Sequence, residues 1–245
     1  MMLSVVTLRY FIFVLIISAV PNFVIAQDIP PATPLEQLHG AIEVAKTHSD
    51  QRYAFTVEFW SSDGKEEFSL IVRYDPRLPE GGRWRAVELS EDDLTKKVRK
   101  RLKQLEKIDR PDEQFLYDDL DEAIGGVTFA EETETAFIFT GPLIIDDLPE
   151  DALTARIVFE KDGMFISRIE AQSVKPFKPA SVAKVKEMRM TQLYARSDDG
   201  PALLVNSESD VSGSALFKSF DTQNRQIFSD IVPVEVIEPD SEAGE

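Results

Sequence analysis

Histidines and cysteines are the first residues to consider for chemistry. The two histidines, His39 and His48, are nine positions apart in a segment with helical spacing, so we expect them on opposite sides of one helix, unable to share a metal ion. The chain has no cysteine, which excludes thiol catalysis, disulfides and cysteine-based metal sites. No G-x-S-x-G elbow occurs, and the nearest fragment, Ser212-Gly213-Ser214, falls in a predicted strand.

Paired carboxylates are the other candidates for catalysis or calcium binding. The pairs are Asp118-Asp119, Asp121-Glu122, Asp146-Asp147 and Asp198-Asp199. None follows the EF-hand pattern, and 44 acidic residues in 245 form pairs by chance, so a solvated surface is the better interpretation. No glycine-rich phosphate loop is present. The sequence therefore predicts a protein that is not an enzyme and that uses no metal or cofactor.

One basic segment stands out in a chain of net charge −17. Seven basic residues lie between positions 96 and 107, and Lys96, Lys97, Lys100 and Lys103 are the candidate interaction surface. An apolar stripe runs through the same segment at Leu94, Val98, Leu102, Leu105 and Ile108. Such a helix can dock on anionic lipid headgroups or on an acidic partner. The alternative is a helix that packs by its stripe and leaves its basic face in water.

Aromatic and aliphatic side chains recur at alternate positions of several predicted strands. If the sheet curls, one set faces a single interior and is the candidate lining of a cavity for an apolar ligand. These residues are Phe55, Phe59, Phe68, Leu70, Val72, Trp84, Phe137, Phe139, Ile157 and Phe159. The alternative is an ordinary packed core made of the same side chains.

Three helices and a long series of strands position these residues. Thr33, Pro34 and Glu36 predict a capping box for a helix over 34–48. Ser90 is expected to cap the basic helix, and Phe115 to Ile124 form a further short helix that ends at Gly125-Gly126.

Period-two alternation predicts the strands. Asp63-Gly64 predicts the first hairpin, and a third strand follows near 83–87. Eight further runs begin at 127, 135, 153, 164, 182, 202, 213 and 225, with turns expected at 176–179 and 207–210 among others. The fold class is α+β, mainly antiparallel β: a curved sheet or incomplete β-barrel of about ten strands with three covering helices, in one domain over 34–232.

The N-terminal segment of the chain indicates export. Residues 1–26 read as a cleavable signal peptide with an apolar run over 10–20 and a cut between Ala26 and Gln27. An uncleaved anchor is the alternative. A Pro-rich leader over 27–33 follows, and 233–245 is an acidic tail predicted to be disordered. The mature chain has no second apolar stretch of spanning length, and its negative charge argues against nucleic acid binding.

The order of helix, strand triplet, helix pair and strand series resembles the periplasmic outer-membrane lipoprotein carrier superfamily. The segment LPEGGRWRAV carries a local similarity. Its Arg83-Trp84-Arg85 looks like the P-G-x-F-R-W segment of that family, with the residues in a different order. The resemblance implies an incomplete β-barrel with a helical lid and a cavity for acyl chains. It also implies an arginine near the lid, for which Arg73 and Arg85 are the candidates.

Two functions remain open from the sequence. The first is a periplasmic carrier-like protein with an apolar cavity for a lipid or acyl chain. The second is a non-catalytic structural or interaction module that contacts another envelope protein through its sheet edge or its basic helix. Reversing the charges of the four lysines would separate the two.

Overall fold

A capped helix opens the part of the chain that can be described. The computed structural model describes residues 32–87, 94–108, 110–145, 148–180, 183–196, 200–216 and 218–235. The first helix, α1 (Pro34–Lys46), has the predicted capping box: the Thr33 N–H donates to the Glu36 carboxylate at 2.7 Å, and the Glu36 N–H donates to Thr33 Oγ1 at 3.3 Å. Leu38 and Ile42 are buried, so one face of α1 covers the sheet.

An antiparallel sheet of eleven strands forms the rest of the body. The strands are β1 (Arg52–Ser62), β2 (Glu67–Tyr74), β3 (Trp84–Ala86), β4 (Thr128–Glu132), β5 (Ala136–Leu143), β6 (Leu153–Glu160), β7 (Phe165–Ser173), β8 (Phe177–Ala180), β9 (Ala183–Arg196), β10 (Ala202–Ala215) and β11 (Lys218–Val234). Their spatial order is β3-β2-β1-β11-β10-β9-β7-β6-β5-β4, and β8 pairs with β9. The sheet is not closed: β3 and β4 are its two edges. The predicted fold class is confirmed.

Strand register divides the side chains between two faces of the sheet. Successive side chains of a strand alternate, and directly paired residues share a face. One row of direct partners crosses eight strands: Phe139, Ile157, Ile169, Gln192, Ser207, Gln226, Phe59 and Leu70. We call the face that bears this row the packed face. Its ends are apolar, whereas its middle is polar.

Three further helices follow the first hairpin region. The basic helix α2 (Lys96–Leu105) is capped by Thr95, whose hydroxyl accepts from the Val98 N–H at 3.3 Å. The predicted cap Ser90 lies outside the described residues. In place of the single helix predicted from Phe115 to Ile124, the structure has a 3-10 helix, η1 (Glu113–Phe115), and a single-turn helix, α3 (Leu120–Ala123).

A buried ion pair joins η1 to the first strand. The carboxylate of Asp112, whose residue is 2% exposed, accepts from Arg52 Nε at 2.9 Å and from the Tyr53 N–H at 3.0 Å. The Arg52 guanidinium also donates to the Tyr74 hydroxyl at 3.2 Å. Because a buried carboxylate is costly without partners, this network fixes the segment before Phe115 against β1.

Several boundaries differ from the sequence prediction. The turn expected at 207–210 is wrong, because these residues lie inside β10 and pair with β11. The turn expected at 176–179 is also wrong, because it overlaps β8. α1 ends at Lys46, so His48 lies beyond it, and β11 continues through Val234 into the predicted tail. The signal peptide, the leader up to Pro31 and the tail from residue 236 lie outside the described residues. Within the described part of the chain, no helix is long and apolar enough to cross a membrane.

Candidate ligand-binding groove

The ten predicted apolar residues share the packed face. Register pairs Phe137 with Phe159 and Phe139 with Ile157 at one side of the sheet, and Phe59 with Leu70 at the other. Eight of the ten are buried in the core: Phe55, Phe59, Leu70, Val72, Trp84, Phe139, Ile157 and Phe159. Phe68 and Phe137 are partly buried and pack against that core.

Aromatic rings fill the interior around Phe55. The Phe55 ring centroid lies 4.8 Å from that of Phe115, 5.2 Å from Tyr74 and 5.7 Å from Trp84. The geometry is edge-on with Phe115 and Trp84, which is favourable for aromatic pairs. This part of the predicted lining is therefore packed side chain against side chain.

Open space occurs where the packed face continues past the aromatic cluster. A groove of about 520 Å³ lies between α2, the β1–β2 hairpin and the strands β10 and β11. Two of the predicted apolar residues, Phe59 and Phe68, line it. The volume is within the roughly 300–1,000 Å³ of small-molecule sites. We call it the α2 groove.

The floor of the α2 groove is largely polar. Ser61 and Asn224 are direct partners, as are Asn224 and Ser209, and all three lie on the packed face. Gln226 and Thr222 are on the same face of β11 by alternation. Trp60 and Arg225 also border the groove, although alternation places this pair on the opposite face of the sheet. The floor thus offers amides and hydroxyls beside two phenyl rings.

Helix α2 forms one wall of the groove. Val98 and Leu105 are buried against the core, which turns the flank with Lys100, Arg101 and Gln104 towards the groove. The Arg101 guanidinium lies over the Phe59 ring, with Cζ 5.0 Å from the ring centroid. At the end of the helix, the Glu106 carboxylate accepts from the N–H of Trp84 at 3.1 Å. These contacts hold α2 beside the hairpin.

Acidic groups of the groove lie in the hairpin turn. The Asp63 carboxylate accepts from the N–H of Glu66 at 2.9 Å and of Lys65 at 3.0 Å, and these hydrogen bonds lower the pKa of Asp63. Glu66 also lines the groove. The groove is therefore polarised, with cations on the α2 wall and carboxylates at the turn.

Three of the four predicted interaction lysines lie along one face of α2. Lys100 lines the α2 groove. Lys96 and Lys103 are exposed and lie on the side of α2 opposite to Val98 and Leu105. The Lys97 side chain is outside what the structure describes. Lys96, Lys100 and Lys103 are spaced i, i+4 and i+7, so they follow one exposed face of the helix, and of these three only Lys100 borders the groove.

The two arginine candidates for the lid region lie on the other side of the sheet. Arg73 and Arg85 are direct partners in the β2–β3 ladder, one position away from the packed-face pair Tyr74 and Trp84. Alternation therefore directs both to the opposite face, where Arg73 donates to Thr56 Oγ1 at 3.3 Å. Neither borders the groove. The arginine beside the apolar floor is Arg101, which the sequence did not single out.

The described residues contain no group of three or more His, Cys, Asp or Glu side chains placed to hold a metal ion. His39 is exposed on α1, and His48 lies in the turn beyond it. The α2 groove contains neither histidine. Its side chains can therefore offer hydrogen bonds, ion pairing and apolar contact.

No protein-family model and no curated protein matches the sequence. Among solved structures, the chain is similar to an outer membrane lipoprotein-sorting protein domain from Vibrio parahaemolyticus, with 10% identity and a TM-score of 0.38 over 83% of this chain and 94% of that one. It is also similar to a DUF1329 family protein from Desulfovibrio piger, with 9% identity and a TM-score of 0.34 over 87% of this chain and 96% of that one. A lipoprotein-sorting protein domain is thus one of the solved structures to which the chain is similar. At these TM-scores neither likeness carries information about the groove or its ligand.

Proposed function

We propose that this protein is an exported, carrier-like binding protein whose α2 groove holds the apolar chain of a lipid. The observation that carries the proposal is the pair of rings, Phe59 and Phe68, at an open groove of about 520 Å³. Phe68 pairs across the hairpin with Ser61, and its ring is only partly buried. A ligand that covers exposed apolar surface removes it from water, which is favourable by about 25 cal/mol per Å².

The proposal is one of binding without catalysis. It is supported by the composition of the groove, where hydroxyls, amides and rings surround the space without a histidine among its lining residues. Export is part of the proposal and is supported by the sequence of residues 1–26. Fractionation of cells that make the full chain, with N-terminal sequencing, tests it: we expect a periplasmic protein that begins at Gln27, whereas an uncut cytoplasmic chain would contradict export.

Binding is tested with the purified mature protein and a fluorescent fatty acid. We expect a dissociation constant in the micromolar range for the unchanged protein and a loss of about tenfold or more in Phe68→Ser, because one ring of the floor is removed. Phe129→Ser is the matched control, since Phe129 is 44% exposed on β4 and does not border the groove. Thermal unfolding of both variants establishes that they fold.

The result that would overturn the proposal is equally direct. If the unchanged, folded protein binds no fatty acid and no phospholipid, and native mass spectrometry of protein from its own envelope shows no co-purified lipid, the α2 groove is not a lipid site. Equal weakening in Phe68→Ser and Phe129→Ser would place the ligand elsewhere on the protein.

A further inference from the structure

The cations of this acidic protein are concentrated beside the α2 groove. Seven of the 27 basic residues lie within positions 96–107, against one acid, Glu106. That acid is engaged, because its carboxylate accepts from the N–H groups of Gly81 and Trp84. α2 is therefore a positively charged region in a chain whose net charge is −17.

Two of these cations are placed for a ligand in the groove. Lys100 and Arg101 line it, and within the described part of the chain neither forms a salt bridge. Arg101 is held over Phe59 by a cation–ring contact. A guanidinium stacked in this way keeps its N–H donors in its own plane, where they remain available to an oxyanion.

Distribution of charge along the groove gives the ligand a direction. Lys100 and Arg101 lie on the α2 wall, and the acids Asp63 and Glu66 lie in the hairpin turn. Phe59 of β1 and Phe68 of β2 lie on the floor of the groove, and the side-chain amides of Asn224 and Gln226 of β11 lie on the same face of the sheet. A molecule with one anionic end and one apolar end matches this arrangement, with its anion at α2.

We infer that the ligand of the α2 groove is an anionic amphiphile whose carboxylate or phosphate accepts hydrogen bonds from Lys100 and Arg101 while its acyl chain covers Phe59 and Phe68. This inference rests on the proposed function and specifies the chemistry of the lipid. Ionised hydrogen bonds are stronger than neutral ones, so the anionic end supplies selectivity among lipids of equal chain length.

Oleate and oleamide test the inference, because they share a chain and differ in charge. The affinity of each is measured by its displacement of a fluorescent fatty acid from the mature protein near pH 8. We expect oleate to bind about tenfold more tightly than oleamide. That advantage is expected to fall about threefold or more in Lys100→Gln and to stay unchanged in Lys103→Gln, which removes the same charge from a position of α2 that does not border the groove. Oleamide binding is expected to weaken less than oleate binding in Lys100→Gln and to stay the same in Lys103→Gln.

The outcomes distinguish failure of the anionic-headgroup inference from failure of the proposed lipid binding. Equal binding of oleate and oleamide to the unchanged protein would overturn the anionic headgroup and leave lipid binding intact. Equal loss in Lys100→Gln and Lys103→Gln would show a diffuse field rather than the groove contact and would also overturn it. Inorganic phosphate that displaces oleate at comparable concentration would show that the anion is bound without a chain, which contradicts an amphiphile. Absence of binding for both oleate and oleamide defeats the proposed function itself.

Discussion

The guanidinium of Arg101 lies over the ring of Phe59, with its Cζ atom 5.0 Å from the ring centroid. One partner belongs to α2 and the other to β1, so the contact joins the helix to the sheet at the mouth of the groove. Phe59 is 9% exposed, and its other neighbours include Leu70, its direct partner on β2. The same ring is therefore part of the core, part of the groove and the platform for a cation.

We predict a measurable coupling between Arg101 and Phe59. Arg101→Gln and Phe59→Leu, alone and combined, form a double-mutant cycle in urea unfolding. The expected coupling free energy is about 0.5–1 kcal/mol, because the contact is a partly exposed cation–ring pair. Lys103→Gln combined with Phe59→Leu is the control and is expected to be additive. Additivity in both cycles would contradict a stabilising contact.

The buried carboxylate of Asp112 predicts a large loss of stability on substitution. Asp112→Ala leaves Arg52 without its carboxylate partner and removes the acceptor of the Tyr53 N–H, so we expect the free energy of unfolding to fall by about 3 kcal/mol or more. Glu43→Gln is the control: Glu43 pairs with Lys46 at 2.8 Å but is exposed, so the change is expected within about 0.5 kcal/mol. Similar unfolding midpoints for the two variants would refute the role given to Asp112.

Two glycines are predicted to respond in opposite directions to alanine. At Gly213 on β10, an added Cβ would lie 2.3 Å from the Lys184 carbonyl oxygen and 2.7 Å from Cζ of Phe220, so Gly213→Ala should destabilise by about 1–3 kcal/mol. At Gly40 on α1, an added Cβ meets nothing within 4 Å, and alanine should stabilise by about 0.5–1 kcal/mol. Thermal unfolding of both variants measures the contrast, and a neutral Gly213→Ala would show that the strands separate easily there.

We predict that ionisation of the buried Tyr194 lowers the free energy of unfolding at high pH. Burial raises the pKa of the Tyr194 hydroxyl, and the neighbouring Tyr117, Asp119 and Asp118 raise it further. Because the folded pKa exceeds the unfolded value of about 10, this contribution is complete below roughly pH 10 and is lost as the pH rises through the folded pKa. Tyr194→Phe cannot ionise, so its unfolding free energy should decline less steeply above pH 10 than that of the unchanged protein.

Between roughly pH 7 and 9, the unfolding free energies of Tyr194→Phe and of the unchanged protein should depend on pH in the same way, and this range is the baseline for the comparison above pH 10. In that range the substitution is expected to cost about 1 kcal/mol, since the hydroxyl donates to Gln192 Oε1 at 3.3 Å. Parallel curves that persist above pH 10 would rule out ionisation of Tyr194 as a cause of alkaline unfolding.

The predictable parts of the fold are those with strong local signals. Asp63-Gly64 predicted the first hairpin, and the structure pairs Ser62 with Glu67 around a Gly64 of positive φ. The capping box at Thr33 and Glu36 predicted the start of α1. In both cases a few neighbouring residues determine the backbone, so sequence alone is sufficient.

The groove was harder to predict because its floor looks like a loop in sequence. Ser209 lies in 207–210, which the sequence predicts to be a turn, and Asn224 falls just before the strand predicted from 225. Those stretches are strands because β9, β10 and β11 run 14, 14 and 17 residues, past the apolar core. Where a sheet face borders open space, polar side chains replace apolar ones and the alternation of hydrophobicity disappears. Arg101 was missed for a related reason: nothing local shows which flank of α2 meets Phe59.

The edge strand β4 has a consequence for how copies of this protein meet one another. All five of its residues are exposed, and within the described residues it pairs only with β5, so its outer N–H and C=O groups form a template for another strand. Glu131 and Glu132 lie on that strand, and a register shift interrupts it between Phe129 and Glu131. Two copies set edge to edge would oppose carboxylates across a broken ladder. Repulsion and irregular geometry therefore keep this broad, unclosed sheet from extending from one molecule into the next.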